Sequence, residues 1–363
     1  MKKILFFPHV PYHAITFVAV IKELIDVKAT LVYADHLKNY GLDKIKGSNI
    51  KEIASASNIR AIPYTPKLLL SESPSILVVM NDWGGWPKRA VEDAKMMGII
   101  TVGHIEGAQD YLDTHLKMGY VGKRRYPYQK VEYIFLLGKY DKQFFSSKQT
   151  KLIGSPRFDS FDVKSNRIQK KFSNTLIGIN CNFSYGVFSD ISEKWISDVI
   201  IAVRYHEINY QISQHIGDKT NLSGYNTYQG SIHALIEKST ILISRFSTVI
   251  IEALMLGCPV VYYNPHNESQ PTYLDSMGAF PKPTNIQELK DAINDVLLHR
   301  REWLARSEKF LDYHVAYRKG GSAISFANAL NEISVYKKKQ AKFYPFRSTL
   351  VYFYENIKRK LPF

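Results

Sequence analysis

Apolar and polar positions follow two different periods through the first part of the chain. Residues 3–7, 75–80 and 99–102 are short, nearly continuous apolar runs of the length of a buried strand. Residues 14–27 and 86–97 instead carry apolar side chains at the spacing of a helix face. Strands that alternate with helices build βαβ units, in which helices cover both faces of a parallel sheet. The pattern therefore predicts an α/β fold.

The alternation stops at residues 159–174 and then resumes. This segment is polar and basic and has no apolar stripe, which is typical of a linker between domains. Beyond it, strands are predicted at 175–179, 199–203, 220–223, 240–244 and 259–263, and helices at 233–238 and 248–256. We expect two doubly wound, Rossmann-like domains at residues 1–165 and 166–325, followed by a tail at 326–363.

Parallel sheets of this kind bind ligands beyond the carboxyl ends of their strands. Polar, glycine or charged residues follow the predicted strands at 8–13, 81–82, 104–107, 154–157, 180–182, 204–207 and 244–248. Two histidines, His13 and His104, are candidate site residues only because of this position. Clusters at so many strand ends favour an enzyme over a protein without a ligand site.

Residues 241–263 form the most specific stretch of the sequence. A buried strand leads into Ser247 and Thr248 at a predicted helix start, where free backbone N–H groups bind anions. Glu252 lies four residues after Thr248 on the same helix face, and its carboxylate can accept hydrogen bonds from ribose hydroxyls. The alternative is an ordinary helix cap by Ser247, with Glu252 exposed to solvent.

This stretch resembles the donor half of GT-B glycosyltransferases and of their relatives, the UDP-N-acetylglucosamine 2-epimerases and CDP-glycerol glycerophosphotransferases. The shared pattern is a strand, small residues, a Glu-Ala helix, Gly-x-Pro and a second strand. The resemblance implies two Rossmann-like domains that face a cleft. It also implies that Ser247 and Thr248 hold the donor phosphate and that Glu252 holds the donor ribose.

Residues 200–207 resemble the strand that ends in a His-Pro pair in transferases that use cytidine nucleotides, with Glu207 in place of the Pro. By that resemblance His206 would contact the donor phosphate and Arg204 would add charge. The alternative is a hydrogen-bonded pair at the surface. The resemblance favours a CMP-sugar donor, such as CMP-Kdo or CMP-sialic acid, and leaves a UDP-sugar open.

Residues 78–82 and 98–107 resemble the acceptor-side domain of capsule and lipopolysaccharide transferases, in which a strand ends in a carboxylate or His followed by Gly. The resemblance implies that Glu106, or else Asp82, is the general base or nucleophile that transfer from an activated sugar requires. The alternative is structural: Asp82 caps the helix that begins near Trp86, and Glu106 caps a turn.

Residues 154–159 resemble the junction that precedes the hinge in the same families, so the Ser155 amide would line the phosphate path. His13 and His104 would then lie on the acceptor side. The sequence contains no Gly-x-Gly-x-x-Gly fingerprint, P-loop, Asp-x-Asp motif or metal-ligating His/Cys cluster. We therefore expect no cofactor and no metal ion, with Arg204, Arg245 and the helix start neutralising the leaving nucleotide.

The formal net charge is +15, and much of it lies in the tail. Residues 336–363 contain eight basic residues against Glu355, interleaved with aromatic residues. Such a composition suits the headgroup layer of an anionic membrane. Packing of the tail on the N-terminal domain and RNA binding are the alternatives, and we expect no nucleic-acid partner because no recognition motif accompanies the charge.

These features together predict a cytoplasmic glycosyltransferase, peripheral on the inner face of the cell membrane. It would move a sugar from a nucleotide donor to a cell-surface polysaccharide or lipid-linked glycan. A CDP-glycerol glycerophosphotransferase and a UDP-HexNAc 2-epimerase are the enzymatic alternatives, although an epimerase of soluble substrates has no use for the tail. A basic protein that binds membrane or nucleic acid without catalysis is the non-enzymatic alternative.

Overall fold

The computed structural model describes residues 1–34, 50–114, 126–161, 175–183, 187–215, 217–334 and 345–360. The chain forms two compact units. Unit 1 comprises Met1–Glu106, Arg125–Ser160 and Val315–Phe363, and unit 2 comprises Gly107–Arg124 and Phe161–His314. Each unit is an α/β structure built on a parallel sheet, so the predicted fold class is confirmed.

Unit 1 contains a seven-stranded sheet in the order β3-β2-β1-β4-β5-β6-β7, with every pair of neighbours parallel. Its strands are β1 (Lys2–Phe7), β2 (Val27–Tyr33), β3 (Ala61–Pro63), β4 (Ile76–Val79), β5 (Ile100–His104), β6 (Tyr133–Leu136) and β7 (Gln149–Leu152). Its first helices are α1 (Pro11–Lys22), α2 (Ile50–Ala56), α3 (Leu68–Glu72) and α4 (Gly85–Met96), with short 3₁₀ helices at Lys139–Phe144 and Pro156–Phe158.

Unit 2 contains a four-stranded parallel sheet in the order β11-β10-β8-β9. Its strands are β8 (Leu176–Cys181), β9 (Asn209–Gln214), β10 (Ile241–Ser244) and β11 (Val260–Tyr262). Its helices are α5 (Ser192–Tyr205), α6 (Ile232–Lys238), α7 (Thr248–Met255), α8 (Pro271–Leu274), α9 (Ile286–Leu298) and α10 (Arg300–His314), with a 3₁₀ turn at Ser189–Ile191.

The chain returns to unit 1 through its last two helices, α11 (Ser322–Glu332) and α12 (Phe346–Lys360). Both carboxylate oxygens of Asp159 accept backbone N–H groups at the start of α11. At its other end, the Lys2 ammonium donates to three carbonyls, including that of Leu330. The units therefore differ from the predicted domains, because residues from Val315 onward group with unit 1 and the segment Gly107–Arg124 groups with unit 2.

The predicted strand at residues 199–203 is wrong, because these residues lie in helix α5. The run is nearly continuous in apolar residues, but their burial follows the spacing of a helix. Val199 and Val203, four residues apart, are buried, whereas Ile201 between them is 48% exposed. The strand predicted at 220–223 is also absent, and β9 supplies the neighbour of β8 instead. Within the described residues, no helix is both long and apolar enough to cross a bilayer.

In each sheet, strands that follow one another along the chain are added first on one side of the starting strand and then on its other side. In unit 1 this change of side lies between β1 and β4, and in unit 2 it lies between β8 and β10. Doubly wound sheets bind their ligands at such switch points, outside the carboxyl ends of the strands. The residues that follow β1, β4 and β5 in unit 1, and β8, β9 and β10 in unit 2, are therefore the places where ligand chemistry is expected.

Candidate active site

A buried His–Glu pair lies at the switch point of unit 1. Helix α1 begins soon after β1 and carries His13 in its first turn, and Glu106 follows the end of β5 by two residues. The Nε2 atom of His13 lies 2.8 Å from Oε1 of Glu106. Only 3% of His13 and 7% of Glu106 are exposed, so the pair is shielded from bulk water.

The hydrogen bonds of His13 define which ring nitrogen carries the proton. The backbone N–H of His9 donates to Nδ1 of His13 at 3.1 Å, so Nδ1 is the acceptor in the neutral ring. Nε2 therefore carries the hydrogen and donates it to Glu106. A single orientation of the imidazole satisfies both partners, and His13 thereby holds the Glu106 carboxylate in place.

The surroundings of Glu106 favour its ionised form. Burial by itself would raise the pKa of Glu106, but His13, Arg157 and the Tyr12 hydroxyl outweigh that effect and hold the pKa below its ordinary value. Burial lowers the pKa of the nearby His104 to about 3, so this imidazole is neutral at pH 7. A buried carboxylate that stays charged at neutral pH can take a proton from a bound hydroxyl group.

Asp82 binds the backbone of the segment that precedes β6. Its carboxylate accepts the backbone N–H groups of Tyr128 and Lys130 at 2.6 Å each and that of Val131 at 3.2 Å. Burial raises the pKa of Asp82, while these donors oppose the shift. Because both oxygens hold the segment that leads into β6, the predicted catalytic role of Asp82 is not supported by its geometry.

The expected caps are also placed differently. Asn81, not Asp82, accepts the backbone N–H groups of Trp83 and Gly84, each at 3.0 Å, in the turn before α4. Glu106 caps no turn and is paired with His13 instead. The structural alternatives for the two carboxylates are therefore replaced by a loop anchor at Asp82 and a buried hydrogen bond from His13 at Glu106.

Two other residues of the prediction lie inside unit 1. Ser155 follows β7 and is fully buried, and its hydroxyl has no hydrogen-bond partner among the described residues. His104 is also fully buried, and its ring lies 4.8 Å from that of Phe326 on α11. His104 therefore packs as a core residue, whereas the role of the Ser155 amide stays a prediction.

Helix α7 in unit 2 begins at Thr248, where the sequence predicts a helix start, and Ser247 forms the cap of the alternative interpretation. The Ser247 hydroxyl accepts the backbone N–H of Val249 at 3.3 Å and thus caps the helix. The Thr248 hydroxyl accepts the backbone N–H of Ala108 at 3.1 Å. A Cβ atom on Gly107 would lie 2.5 Å from that hydroxyl oxygen, so the segment passes over Thr248 at a distance that only glycine permits.

Glu252 is buried and paired, not exposed. Only 2% of its surface is accessible, and Oε2 lies 2.7 Å from Nε2 of His233 on α6. The His233 ring is more than a third exposed and lies against Phe161 at 5.2 Å. The His233 imidazole therefore orients the Glu252 carboxylate.

Arg245 follows β10 at the switch point, but its charge is already compensated. It is fully buried, and its Nε donates to the carboxylate of Glu268. Its Nη1 donates to the carbonyl of Val187 at 2.9 Å, and the guanidinium lies 4.1 Å from the centroid of Phe183. Arg245 thus stabilises the loop after β8, and its role at a leaving nucleotide stays a prediction.

Arg204 and His206 do not lie at a strand end. Arg204 belongs to the last turn of α5, and His206 is the residue that ends this helix. Since β9 begins at Asn209 and pairs there with the first residue of β8, both side chains lie at the amino edge of the sheet. The sequence analysis places both His206 and Thr248 at the donor phosphate, but Thr248 follows β10 at the carboxyl edge, so the structure does not bring the two residues together. His206 instead contacts the carbonyl of Lys290 at 3.0 Å.

His215 is the histidine that follows a strand, and the sequence interpretation missed it. It comes directly after β9, and its Nδ1 accepts the backbone N–H of Gly217 at 3.1 Å. Desolvation lowers the pKa of His215, while Asp218 opposes this shift. In the neutral ring Nε2 then carries the hydrogen and can donate to an anion. Recognising β9 as a strand would have identified it.

No metal centre emerges from these residues. Across the described ranges, no three His, Cys, Asp or Glu side chains are grouped so that they could bind a metal ion. The site therefore consists of two parts that are described separately: the Glu106–His13 pair in unit 1, and in unit 2 the α7 start with Glu252 and His215.

Neither a protein-family profile nor a curated protein sequence matches this chain. Solved structures do match. The UDP-GlcNAc 2-epimerase of Methanocaldococcus jannaschii, in complex with UDP-GlcNAc and UDP, has a TM-score of 0.64 at 13% identity, over 91% of this chain and 99% of that chain. The spinosyn forosaminyltransferase SpnP has a TM-score of 0.56 at 10% identity, over 92% of this chain and 99% of that chain.

The wall teichoic acid polymerase TagF is similar as well, with a TM-score of 0.52 at 12% identity, over 99% of this chain and 90% of that chain. At such low identities the likeness establishes the fold. The chain has the GT-B-like α/β architecture shared by these nucleotide-sugar enzymes and transferases.

Proposed function

We propose that this protein is a glycosyltransferase that uses a UDP-sugar and needs no metal ion. The observation that carries the proposal is the buried Glu106, kept ionised and oriented by His13 at the switch point of unit 1. In this proposal Glu106 takes the proton of the acceptor hydroxyl as its oxygen attacks the anomeric carbon. The bond from that carbon to the phosphate oxygen breaks, and UDP leaves with the electron pair.

Unit 2 supplies the donor-binding groups of the proposal. The α7 start, with the Ser247 and Thr248 hydroxyls and the positive end of the helix dipole, would hold the diphosphate. Glu252, oriented by His233, would accept the ribose hydroxyls. His215 would donate from Nε2 to a phosphate oxygen and so stabilise the charge of the leaving UDP.

The uridine base replaces the cytidine expected from the sequence. The expectation of a CMP-sugar rested on His206 together with Ser247 and Thr248, and His206 lies at the opposite edge of the sheet from the α7 start. The structurally similar epimerase of Methanocaldococcus jannaschii was solved with UDP-GlcNAc and UDP. We keep the acceptor class expected from the sequence, a cell-surface polysaccharide or lipid-linked glycan, and a peripheral position at an anionic membrane.

A UDP-HexNAc 2-epimerase is the second candidate, and the likeness to the Methanocaldococcus jannaschii enzyme favours it. Epimerisation at C2 requires a proton to leave one face of the sugar and another to return to the opposite face. Of the two carboxylates that the sequence selects, Asp82 is bound by three backbone N–H groups, which leaves Glu106 for proton transfer. A single available carboxylate is enough to deprotonate an acceptor hydroxyl, whereas proton exchange at C2 needs a group on each face of the sugar.

One experiment separates the two candidates. The protein is incubated in D₂O with UDP-GlcNAc and related UDP-sugars, with and without a membrane glycan extract as acceptor, and followed by NMR. The transferase releases UDP only when acceptor is present and leaves the C2 proton in place. Deuterium at C2 without acceptor would establish the epimerase, and release of CMP from CMP-sugars would restore the cytidine donor.

A further inference from the structure

The last helix of the chain, α12, is docked on unit 1 through one of its faces. Ser348 is 3% exposed, and its hydroxyl lies 2.6 Å from Oδ2 of Asp93 on α4. One turn further along α12, the Tyr352 ring meets that of Trp86 edge to face, with centroids 6.1 Å apart. The helix is therefore part of the folded unit, and its orientation relative to α4 is defined.

The opposite face of α12 is apolar and open to solvent. The exposed fractions are 54% for Leu350, 60% for Phe353, 59% for Tyr354 and 58% for Ile357. At about 100° per residue these four positions fall within roughly 100° of the helix circumference, centred opposite the side of Ser348. We call this set, Leu350, Phe353, Tyr354 and Ile357, the apolar arc.

Positive charge accompanies the apolar arc. Arg347 in the first turn of α12 is exposed, and the sequence places Lys358, Arg359 and Lys360 in its last turn. Only Glu355 in this helix is acidic. A short amphipathic helix with aromatic and aliphatic residues on one side and basic residues at both ends is suited to the boundary between headgroups and acyl chains.

We propose that the apolar arc inserts into the headgroup layer of an anionic bilayer while the Ser348 face keeps α12 on unit 1. Exposed apolar patches in a folded protein mark surfaces that are covered in function. A second copy of the chain and an anionic bilayer are the two surfaces that could cover the apolar arc. The net charge of +15 favours the bilayer, because it opposes pairing of two copies through this basic helix and attracts anionic lipid. The inference rests on the peripheral membrane position proposed above and not on the identity of the transferred sugar.

The test uses vesicle flotation with the full chain. Vesicles of phosphatidylcholine alone are compared with vesicles that contain phosphatidylglycerol, at low and high salt. The variant Phe353→Ser/Ile357→Ser removes two members of the apolar arc, and Leu298→Ser at the end of α9 is the matched control, because Leu298 is 70% exposed outside α12. Thermal unfolding verifies that all variants remain folded.

We expect the wild type and Leu298→Ser to float with anionic vesicles, and the double variant to bind about tenfold or more weakly. Equal flotation of the wild type and the double variant would overturn the role of the apolar arc while leaving membrane attachment intact. A wild type that does not float at low salt, or one that forms a dimer which the double variant abolishes, would overturn the membrane proposal itself. Turnover of a soluble acceptor should be unchanged in the double variant, so a failed transferase assay is a separate result.

Discussion

Replacing Glu106 by Gln removes the charge of the proposed base and leaves the shape of the side chain unchanged. The amide oxygen of Gln can still accept the N–H of His13, which lies 2.8 Å from Glu106 Oε1. A hydrogen bond to a charged acceptor is worth about 1.5–3 kcal/mol and a neutral one about 1 kcal/mol, so the variant loses about 1 kcal/mol there. Relief from burying a carboxylate offsets this loss, and the unfolding temperature should change by at most about 4 °C.

The catalytic effect of Glu106→Gln should be far larger than its effect on stability. A positioned general base contributes about 10²–10⁴-fold to a rate, which corresponds to about 3–5.5 kcal/mol of activation free energy. We expect the rate of UDP release in the presence of acceptor to fall by at least about a hundredfold. The Kd for UDP should remain within about twofold of the wild-type value, since the proposed nucleotide contacts lie in unit 2.

The assay combines initial rates of UDP release, calorimetric titration with UDP and thermal unfolding. Asp82→Asn is the matched control, because Asp82 is also a buried carboxylate of unit 1 but binds backbone N–H groups. This control should lower the unfolding temperature by more than the change of at most about 4 °C expected for Glu106→Gln. A Glu106→Gln protein that keeps more than about a tenth of the wild-type rate would refute the role of Glu106 as base.

Three further predictions concern packing, the nucleotide site and pH. Gly103→Ala should destabilise the protein by about 1–3 kcal/mol in denaturant unfolding, because the added Cβ would lie 2.7 Å from the Tyr128 ring; an unchanged midpoint would contradict this. His215→Ala should weaken UDP binding about tenfold in calorimetry and His206→Ala should not, and the reverse order would restore the original assignment. Burial would raise the pKa of Asp218, but neighbouring hydrogen-bond donors outweigh it and lower that pKa. The stabilisation is therefore present above the ordinary Asp pKa and lost as the pH falls through the lowered value, so Asp218→Asn should reduce the unfolding temperature at pH 7 and progressively less as the pH falls below the ordinary Asp pKa.

The sequence predicted the features that depend on local pattern. The apolar strand β10 followed by Ser247 at a helix start is one such feature, since a buried strand and a serine cap are both visible along a single segment. The position of Glu106 after β5 is another. What these residues contact was not predictable in the same way, because His13 lies 93 positions before Glu106 and meets it only through the strand order of the sheet.

The wrong secondary-structure predictions concern two elements whose amino-acid composition is unusual for their type. Strand β9 is polar because it forms one edge of the unit 2 sheet, and of its six residues only Ile212 and Ser213 are buried. Helix α5 is so apolar over residues 199–203 that it resembles a buried strand. Because residues 199–203 were interpreted as a strand and β9 was not, His206 was taken as the histidine that follows a strand, in place of His215. The argument for a cytidine donor depended on that assignment.

The proposed function depends most directly on nucleotide binding by unit 2. Calorimetric titration of the full chain with UDP, CDP, CMP and GDP tests this binding, with Glu252→Gln and Glu106→Gln measured in parallel. We expect UDP to bind more tightly than the other nucleotides, with affinity reduced about tenfold in Glu252→Gln and unchanged in Glu106→Gln. Absence of nucleotide binding, or equal weakening by both substitutions, would contradict the assignment of donor binding to Glu252 and of catalysis to Glu106.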